Sequence, residues 1–391
     1  MTRSSRMQPT GSYPSSTAEV FLLWLLSDEI LEKISRDLSE LYERAERAAE
    51  RIEGKWIEMP ESIECSACGV DGSRGVERLS GAVLYSISAV SVGDEIREMG
   101  EITTLRPHTN VEERIRLHMH TSEFRLGSLA EDELVLIDGS LRGAFVRPAA
   151  FTDDPSKLRE CYELECFVED FLEVLDRQIE VLETDLRKGM AKKNYLLTRE
   201  ELFRRMEEGY RRGKGSIEDL MILFEYIEYL HALNRLLEKN AVFFAKTFYT
   251  HEFDEEVTDV AVLHLSSLKQ FGCAKQAYFP FRARINKTLP WFVKEFRDRF
   301  ENLFKDFNSA FVRFEEGGNI YMIETPLKID DELIGKLKSL EVHGYPLPLI
   351  HAHRLAKIKR AEMKKAMESL FASVESRFDF LLRSGRDVIE G

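Results

Sequence analysis

Apolar residues recur along this chain in three rhythms, and the places where the rhythm changes divide it into segments. Leu31, Ile34, Leu38, Leu41, Ala45, Ala48 and Ile52 advance in steps of three and four with charges between them. That is a heptad seam, and it predicts a long helix over 17–54 that packs on a partner, on a second copy or on its own domain. From Glu64 to about Met99 the period becomes two, with Leu79, Gly81, Val83, Tyr85 and Ile87 on one strand face. A helix is expected over Val111 to Ala130. It leads into Leu134-Val135-Leu136-Ile137-Asp138, an unbroken apolar run of the kind found in strands buried on both faces.

Helical spacing returns over 158–240. One stripe is Leu164, Val168, Phe171, Leu175, Ile179 and Leu182; another is Leu220, Leu223, Ile227, Leu230, Leu233 and Leu237. Arg211 to Gly215 reads as a turn between them. Strands are then expected at Ala241–Lys246, Val257–Leu265, Tyr278–Ile285, Ala310–Phe314 and Ile320–Glu324. Gly317-Gly318-Asn319 supplies a hairpin signal between the last two. A closing helix starts near Pro348.

This order predicts an α/β fold with a mixed-sheet core, interrupted at 158–240 by a long helical insertion and preceded by the heptad helix. The core halves fall at 60–157 and 241–391, and residues 1–16, without periodicity, read as a disordered tail. Composition narrows the class. A 43% hydrophobic content supports a packed core. No apolar run approaches the roughly 20 residues that span a bilayer. Val20–Leu26, flanked by Glu19 and Asp28, lacks a small-residue cleavage site, so a soluble cytoplasmic protein is expected. Five cysteines make an odd set that argues against a disulfide framework. Cys65 and Cys68 form a lone CxxC, read as small core residues in preference to a zinc site with Cys161 and Cys166. A net charge of −14 opposes broad electrostatic binding to phosphates, so any contact with nucleic acid must be local or shared with a partner. Basic clusters stand at 211–214, at Arg282, Arg284 and Lys287, and along 354–365.

Candidate chemistry sits where two segments share a shape, Val70-Asp71-Gly72-Ser73-Arg74 and Ile137-Asp138-Gly139-Ser140-Leu141. Each is read as an apolar strand ending in an aspartate, followed by a glycine that turns the chain and a small hydroxyl residue. On parallel neighbouring strands, ~4.8 Å apart, the two carboxylates would meet. Paired hard-oxygen ligands of that kind select Mg²⁺ or Mn²⁺ and serve phosphoryl transfer. A single Asp-Gly-Ser is an ordinary turn; the repetition on two core strands makes it a site hypothesis.

The pair Val-Asp-Gly-Ser-Arg and Leu-Ile-Asp-Gly-Ser-Leu resembles the NurA nucleases. So does the stretch Tyr345-Pro346-Leu347-Pro348-Leu349-Ile350-His351-Ala352-His353-Arg354-Leu355-Ala356, with lesser echoes at Ala245-Lys246-Thr247 and Ile323-Glu324-Thr325-Pro326. The resemblance spans Gly69 to the C-terminus. It implies an RNase H-like core, a site for one or two manganese ions in which Mg²⁺ is the alternative, and 5′-to-3′ exonuclease and single-strand endonuclease activity on DNA. It further implies a dimer docked on HerA, a hexameric DNA translocase, in DNA-end resection. By position, Asp71, Asp138 and His353 match the family's metal and catalytic residues. A family glutamate lies on the helix between the two Asp-Gly-Ser motifs, where Glu112, Glu113 and Glu123 compete; Glu123 fits best, against a surface acid paired with Arg116 or His120. Lys246 is a candidate for neutralising a scissile phosphate. Arg74, Arg142 and Arg354 are candidate DNA contacts, and Asp259 and Tyr321 are weaker site candidates. Two rivals remain open: a non-catalytic helical adaptor, and an RNase H-like nuclease acting on RNA or hybrids.

Overall fold

A computed structural model describes residues 28–107, 110–188, 196–281 and 287–373. The expected tail at 1–16, the first part of the heptad helix, and Arg282 and Arg284 lie outside the described residues. The chain divides into two compact units. One comprises the N-terminal residues to Lys55 with Tyr249–Ala274; the other comprises Trp56–Phe248 with Lys275 onward.

In the first unit, helix α1 (Asp28–Arg51) buries Ala45, Ala48 and Ala49 against the helix Asp259–Phe271. The predicted seam is therefore split. Its C-terminal end, with Ile52, is packed, while Leu31, Ile34, Leu38 and Leu41 stay 43–60% exposed. Arg44 joins Asp254 and Glu256, and Lys269 joins Glu46 and Glu50. The strand expected at Val257–Leu265 is helical instead. Asp259, Val262, Leu263, Ser266 and Ser267 are buried at helical spacing, and Gly272 ends the helix with φ +72°. The β-branched content of that segment misleads because tertiary packing, with apolar and polar residues buried together at helical spacing, overrides local preference.

The second unit is built on a nine-stranded sheet. Its strands are β1 (Ile57–Glu58), β2 (Ala67–Arg78), β3 (Val83–Val92), β4 (Ile96–Leu105), β5 (Leu134–Asp138), β6 (Ala241–Ala245), β7 (Ala277–Phe281), β8 (Asn308–Arg313) and β9 (Tyr321–Thr325), in spatial order β1-β7-β8-β9-β6-β5-β2-β3-β4. β2, β3 and β4 form an antiparallel meander; β5 runs parallel to both β2 and β6. Leu79 and Gly81, expected on a strand face, lie in the β2–β3 connection, while Val83, Tyr85 and Ile87 do share a buried face. β8 and β9 form the predicted hairpin, with Gly317 at φ +73°.

The central strands are covered on both sides, and β5 shows why its sequence is apolar throughout. Val135 and Ile137 enter the core beneath helices α2 (Val111–Ser128), α3 (Leu164–Arg187) and α5 (Ile217–Leu236), with α4 (Glu201–Tyr210) beside them. Leu134 and Leu136 enter the opposite core, with Val242 and Phe244 of β6, Leu333 and Leu337 of α6 (Asp331–Ser339) and Leu349 of α7 (Leu347–Ala356). A two-stranded ribbon, β10 (Glu341–Val342) with β11 (Tyr345–Pro346), feeds α7, and α8 (Arg360–Ser373) follows.

Buried ion pairs clamp α2 to α5. Arg114 grips Glu225 through two 2.8 Å contacts and also meets Glu218, and Arg125 donates to Glu228 at 2.6 Å. Burial pushes the Glu225 carboxyl up, but His118 and Arg114 together hold it down at about 2.

Helix α7 lies directly on β2, because Gly69 has no side chain there. A Cβ at this position would stand 2.3 Å from the backbone carbon of Pro348. Gly69→Ala is therefore expected to cost about 1–3 kcal/mol in urea unfolding. Gly143→Ala, where a Cβ meets only Ser140 at 3.5 Å, should be close to neutral. Equal stability of the two variants would show that α7 does not depend on this close approach.

Candidate functional site

β2 and β5 run side by side with Val70 opposite Ile137, so the next residues on each strand, Asp71 and Asp138, come level. Alternation puts both on the side of the sheet covered by α7, because Gly69 faces Pro348 there and Leu136 enters the same core. From α7, His353 meets Asp71, Nδ1 to Oδ2 at 2.6 Å. Ligand atoms of Asp71, Asp138 and His353 all lie within 4.8 Å of one another, a spacing that fits a shared divalent cation. Two carboxylates with an imidazole form the mixed oxygen–nitrogen set that suits Mn²⁺. Among the described residues no cysteine belongs to such a group, and all five cysteines are free. Cys68 is buried on β2, where burial pushes its thiol up to about 12.

The two Asp-Gly-Ser motifs are not the same structure. The second ends its strand as expected. β5 stops at Asp138, Gly139 takes φ +158°, and Ser140 caps a single helical turn by accepting from the Gly143 N–H at 3.0 Å. The first motif ends nothing, because β2 continues through it to Arg78. There the glycine makes room for an acid. A Cβ on Gly72 would stand 2.3 Å from Glu123 Oε1, so the glycine lets a carboxylate from α2 reach the sheet from its other side. Ser73 accepts from the Ile358 N–H at 3.1 Å and fixes the chain leaving α7.

Of the three glutamates, Glu112 pairs with Arg78 and Glu113 accepts from the Ala149 N–H at 2.9 Å. Glu123 is 1% exposed and bonded to His120 Nδ1 at 2.6 Å. Burial first, then the charges of Asp138 and Glu123, raise the Asp71 carboxyl to about 6; the bonds from His353 and from the Gly72 N–H offset only part of this. Two strand acids and a helical histidine therefore converge, and Glu123, against Gly72, is near enough for its charge to act on Asp71.

Lys246 follows β6 and binds Asp138 Oδ2 with its ammonium 4.8 Å from the centre of the Tyr345 ring. Tyr345 donates to Asp138 Oδ1 at 3.4 Å, and burial pushes its hydroxyl far above the usual range. Arg74 and Arg354 are exposed; Arg74 donates to the Glu112 carbonyl at 2.7 Å. Arg142 is held by the fully buried Glu324, its Nε 3.6 Å from Oε1. Asp259 sits in the first unit, where it accepts from the Glu252 and Phe253 N–H groups. Tyr321 packs its ring 5.0 Å from that of Tyr345.

Three contributors escape a reading of residues alone. Tyr345 lies inside the closing motif and Glu324 inside the Ile-Glu-Thr-Pro echo, yet neither position marks a role by type or spacing. Glu324 accepts from Ser140 Oγ at 2.7 Å and from the Arg142 N–H at 3.1 Å, and so holds the loop after Asp138 in place. His120 carries no local signal beyond standing one helical turn before Glu123.

Known proteins resemble this chain in sequence and fold. The NurA domain family model matches residues 65–358. An uncharacterized protein of Methanocaldococcus jannaschii is 30% identical, over 85% of this chain and 90% of its own. The DNA double-strand break repair nuclease NurA of Pyrococcus furiosus is 27% identical, over 94% of this chain and all of its own. A crystal structure of NurA bound to dAMP and manganese superposes with TM-score 0.77 and 26% identity, over 90% of this chain and 99% of the other. Among the described residues no helix is long and apolar enough to cross a membrane. The match over residues 65–358 takes in both strand aspartates, the helical glutamate and the closing histidine, and the chain belongs to the NurA family.

Proposed function

We propose that this protein is a metal-dependent DNA nuclease that acts in the repair of double-strand breaks. One observation carries the reading: Asp71, Asp138 and His353, brought together from two strands and a distant helix, present ligand atoms within 4.8 Å of one another. Asp71, Asp138 and His353 would hold the cation, with Glu123 beside them, and manganese is the ion present in the solved relative. When bound, such an ion supplies Lewis acidity toward a phosphate oxygen and lowers the pKa of a coordinated water. The chain's own groups do the rest. Lys246 holds a positive charge beside Asp138, where it offsets charge building on the phosphate. Tyr345 and Lys246 bond separate oxygens of Asp138 and fix its carboxylate plane. His120 fixes Glu123.

The meander β4-β3-β2 continued by parallel β5 and β6 supports the RNase H-like reading of the core. Digestion from the 5′ end, work with a HerA-type translocase in end resection, and dimerisation are the finer parts of the proposal. The exposed stripe on α1 supports an assembly surface, since apolar residues at heptad spacing seek a partner. An adaptor role leaves the converging acids without a purpose.

Asp71→Asn and Asp138→Asn should each lower cleavage of labelled single-stranded DNA at least about 100-fold, with folding intact. Chelation should abolish wild-type cleavage, and Mn²⁺ should restore it. Parallel assays on duplex DNA and RNA define the substrate, and a variant cutting at the wild-type rate would overturn the assignment.

The raised Asp71 pKa carries a sign. The folded protein binds more protons than the unfolded chain between about pH 4 and 6, so stability without metal falls as pH rises through that window. Asp71→Asn should therefore melt higher than wild type at pH 7.5 without metal, by on the order of 2 kcal/mol. The gain should vanish near pH 4. A variant that melts lower than wild type at pH 7.5 would contradict this.

Replacing Ile34 and Leu38 together by Glu should weaken self-association or translocase binding, read by light scattering and pull-down, while cleavage of short oligonucleotides persists. Unchanged assembly would remove α1 as the docking surface.

A further inference from the structure

The basic run that begins at Arg354 finds its place in the fold along β2. Four contacts follow one another along that strand: Gly69 against Pro348, Asp71 with His353, Ser73 with Ile358, and Gly75 with Met363. Each step of two residues on β2 answers a step of five on the other segment. Helix α7, the link after it and α8 therefore run in file beside the strand. Alternation keeps Asp71, Ser73 and Gly75 on one face of the sheet, the face of the cation group. At about 3.3 Å per residue, Ser73 stands about 7 Å from Asp71 along the strand, and Gly75 about 13 Å.

Apolar side chains fix this segment to the sheet. Met363 is buried with Leu79 and Leu84, and Ile358 and Met367 lean on the same cluster. The cations beside them are left outside: Arg354, Lys357, Lys359, Lys364 and Lys365 are all exposed. Elsewhere on this acidic chain exposed cations close on acids, as Arg78 does on Glu112, Arg187 on Glu131 and Glu183, and Arg212 on Glu163. Among the described residues none of these five does so. Glu362, the one acid between Arg354 and Lys365, accepts from the Lys359 N–H at 2.9 Å instead. A ridge of unneutralised positive charge thus starts beside His353 and leads away from it.

The paired acids at the centre repel a phosphate backbone, and the net charge of −14 adds to that repulsion at longer range. The ridge reverses it locally, because it starts within one screening length of Asp71, about 10 Å at 0.1 M salt. Its span of about 13 Å corresponds to about four base steps at 3.4 Å per step. Lysine brings a point charge on a flexible stem, which meets a phosphate without demanding a fixed geometry.

We propose that Lys357, Lys359, Lys364 and Lys365 form a phosphate track that holds the DNA strand over the steps next to the cut. The inference rests on the reading of the site as a nuclease centre and adds to it the path of the strand, along β2 toward α8. Contacts to phosphate carry no sequence information, so the track is blind to base identity.

Two measurements on the full-length protein test this. The first needs no turnover. On the Asp138→Asn background, binding of a labelled single-stranded oligonucleotide is followed by fluorescence anisotropy between roughly 50 and 200 mM salt. Lys357→Ala with Lys359→Ala should lower the slope of log affinity against log salt by about 1.4. Adding Lys364→Ala and Lys365→Ala should bring the loss to about 2.8, as expected for four phosphate contacts on a single strand. The loss should be the same for oligonucleotides of different sequence. Melting temperatures should not move, since all four side chains are exposed. Lys214→Ala, in the turn between α4 and α5, should leave the slope unchanged. An unchanged slope in the quadruple variant overturns the proposal and leaves the ridge to an acidic protein surface.

The second measurement places one uncharged methylphosphonate linkage in a strand cut in the presence of Mn²⁺. Cutting by wild type should stall at that linkage and also at up to about four steps on one side of it, where the uncharged linkage lies over the ridge. The quadruple variant should keep the stall at the linkage and lose the others. Stalling at the linkage alone in wild type overturns the track. Absence of cleavage altogether, with the slope change of the first measurement present, would instead overturn the nuclease reading and keep the ridge as a DNA surface.

Discussion

The site depends on two strand carboxylates, Asp71 and Asp138, held closer together than they would choose to be, with the charge of Glu123 acting on the first. Two unit charges 4 Å apart repel by about 4 kcal/mol at the effective dielectric of a protein surface. Burial first, then the charges of Asp138 and Glu123, push the Asp71 carboxyl up to about 6. The surrounding groups oppose this repulsion one acid at a time. His353 bonds Asp71, Lys246 and Tyr345 bond Asp138, and His120 bonds Glu123. They relieve the site without neutralising it, which leaves a place where a divalent cation is worth more than at any single acid.

What keeps the acids together is the scaffold behind them. Parallel pairing of β2 with β5 sets Asp71 level with Asp138, and a one-residue slip would turn one of them to the other face of the sheet. Two missing side chains then let helices come close: Gly69 admits the backbone of α7 with His353, and Gly72 admits Glu123 from α2. The α2 helix is in turn locked by buried Arg–Glu pairs to α5, part of the region that looks like an insertion in sequence. Such pairs add little net stability compared with an apolar core. They do penalise any shift in helix register, because a shift would strand a buried charge. The helical segment is thus tied mechanically to the position of Glu123.

The chain's own pattern determined a good deal by itself. The unbroken apolar run at Leu134–Ile137, the helical stripes at 164–182 and 220–237 and the Gly317–Asn319 hairpin are local signals, and each became the expected element. The repeated Asp-Gly-Ser marked Asp71 and Asp138, because paired carboxylates can serve a hard cation, and the resemblance of the closing motif pointed to His353. Tertiary structure decided the rest, since it depends on what a residue packs against. It made Val257–Leu265 helical by burying Asp259, Val262 and Leu263 at helical spacing, and it carried β2 through a motif that reads as a stop. It also separated three glutamates of like chemistry: Glu123 lies against Gly72, while Glu112 pairs with Arg78 and Glu113 accepts from the Ala149 N–H. Spacing along a chain fixes which face a side chain takes, while the partner opposite that face comes from distant segments, 282 residues away between Asp71 and His353.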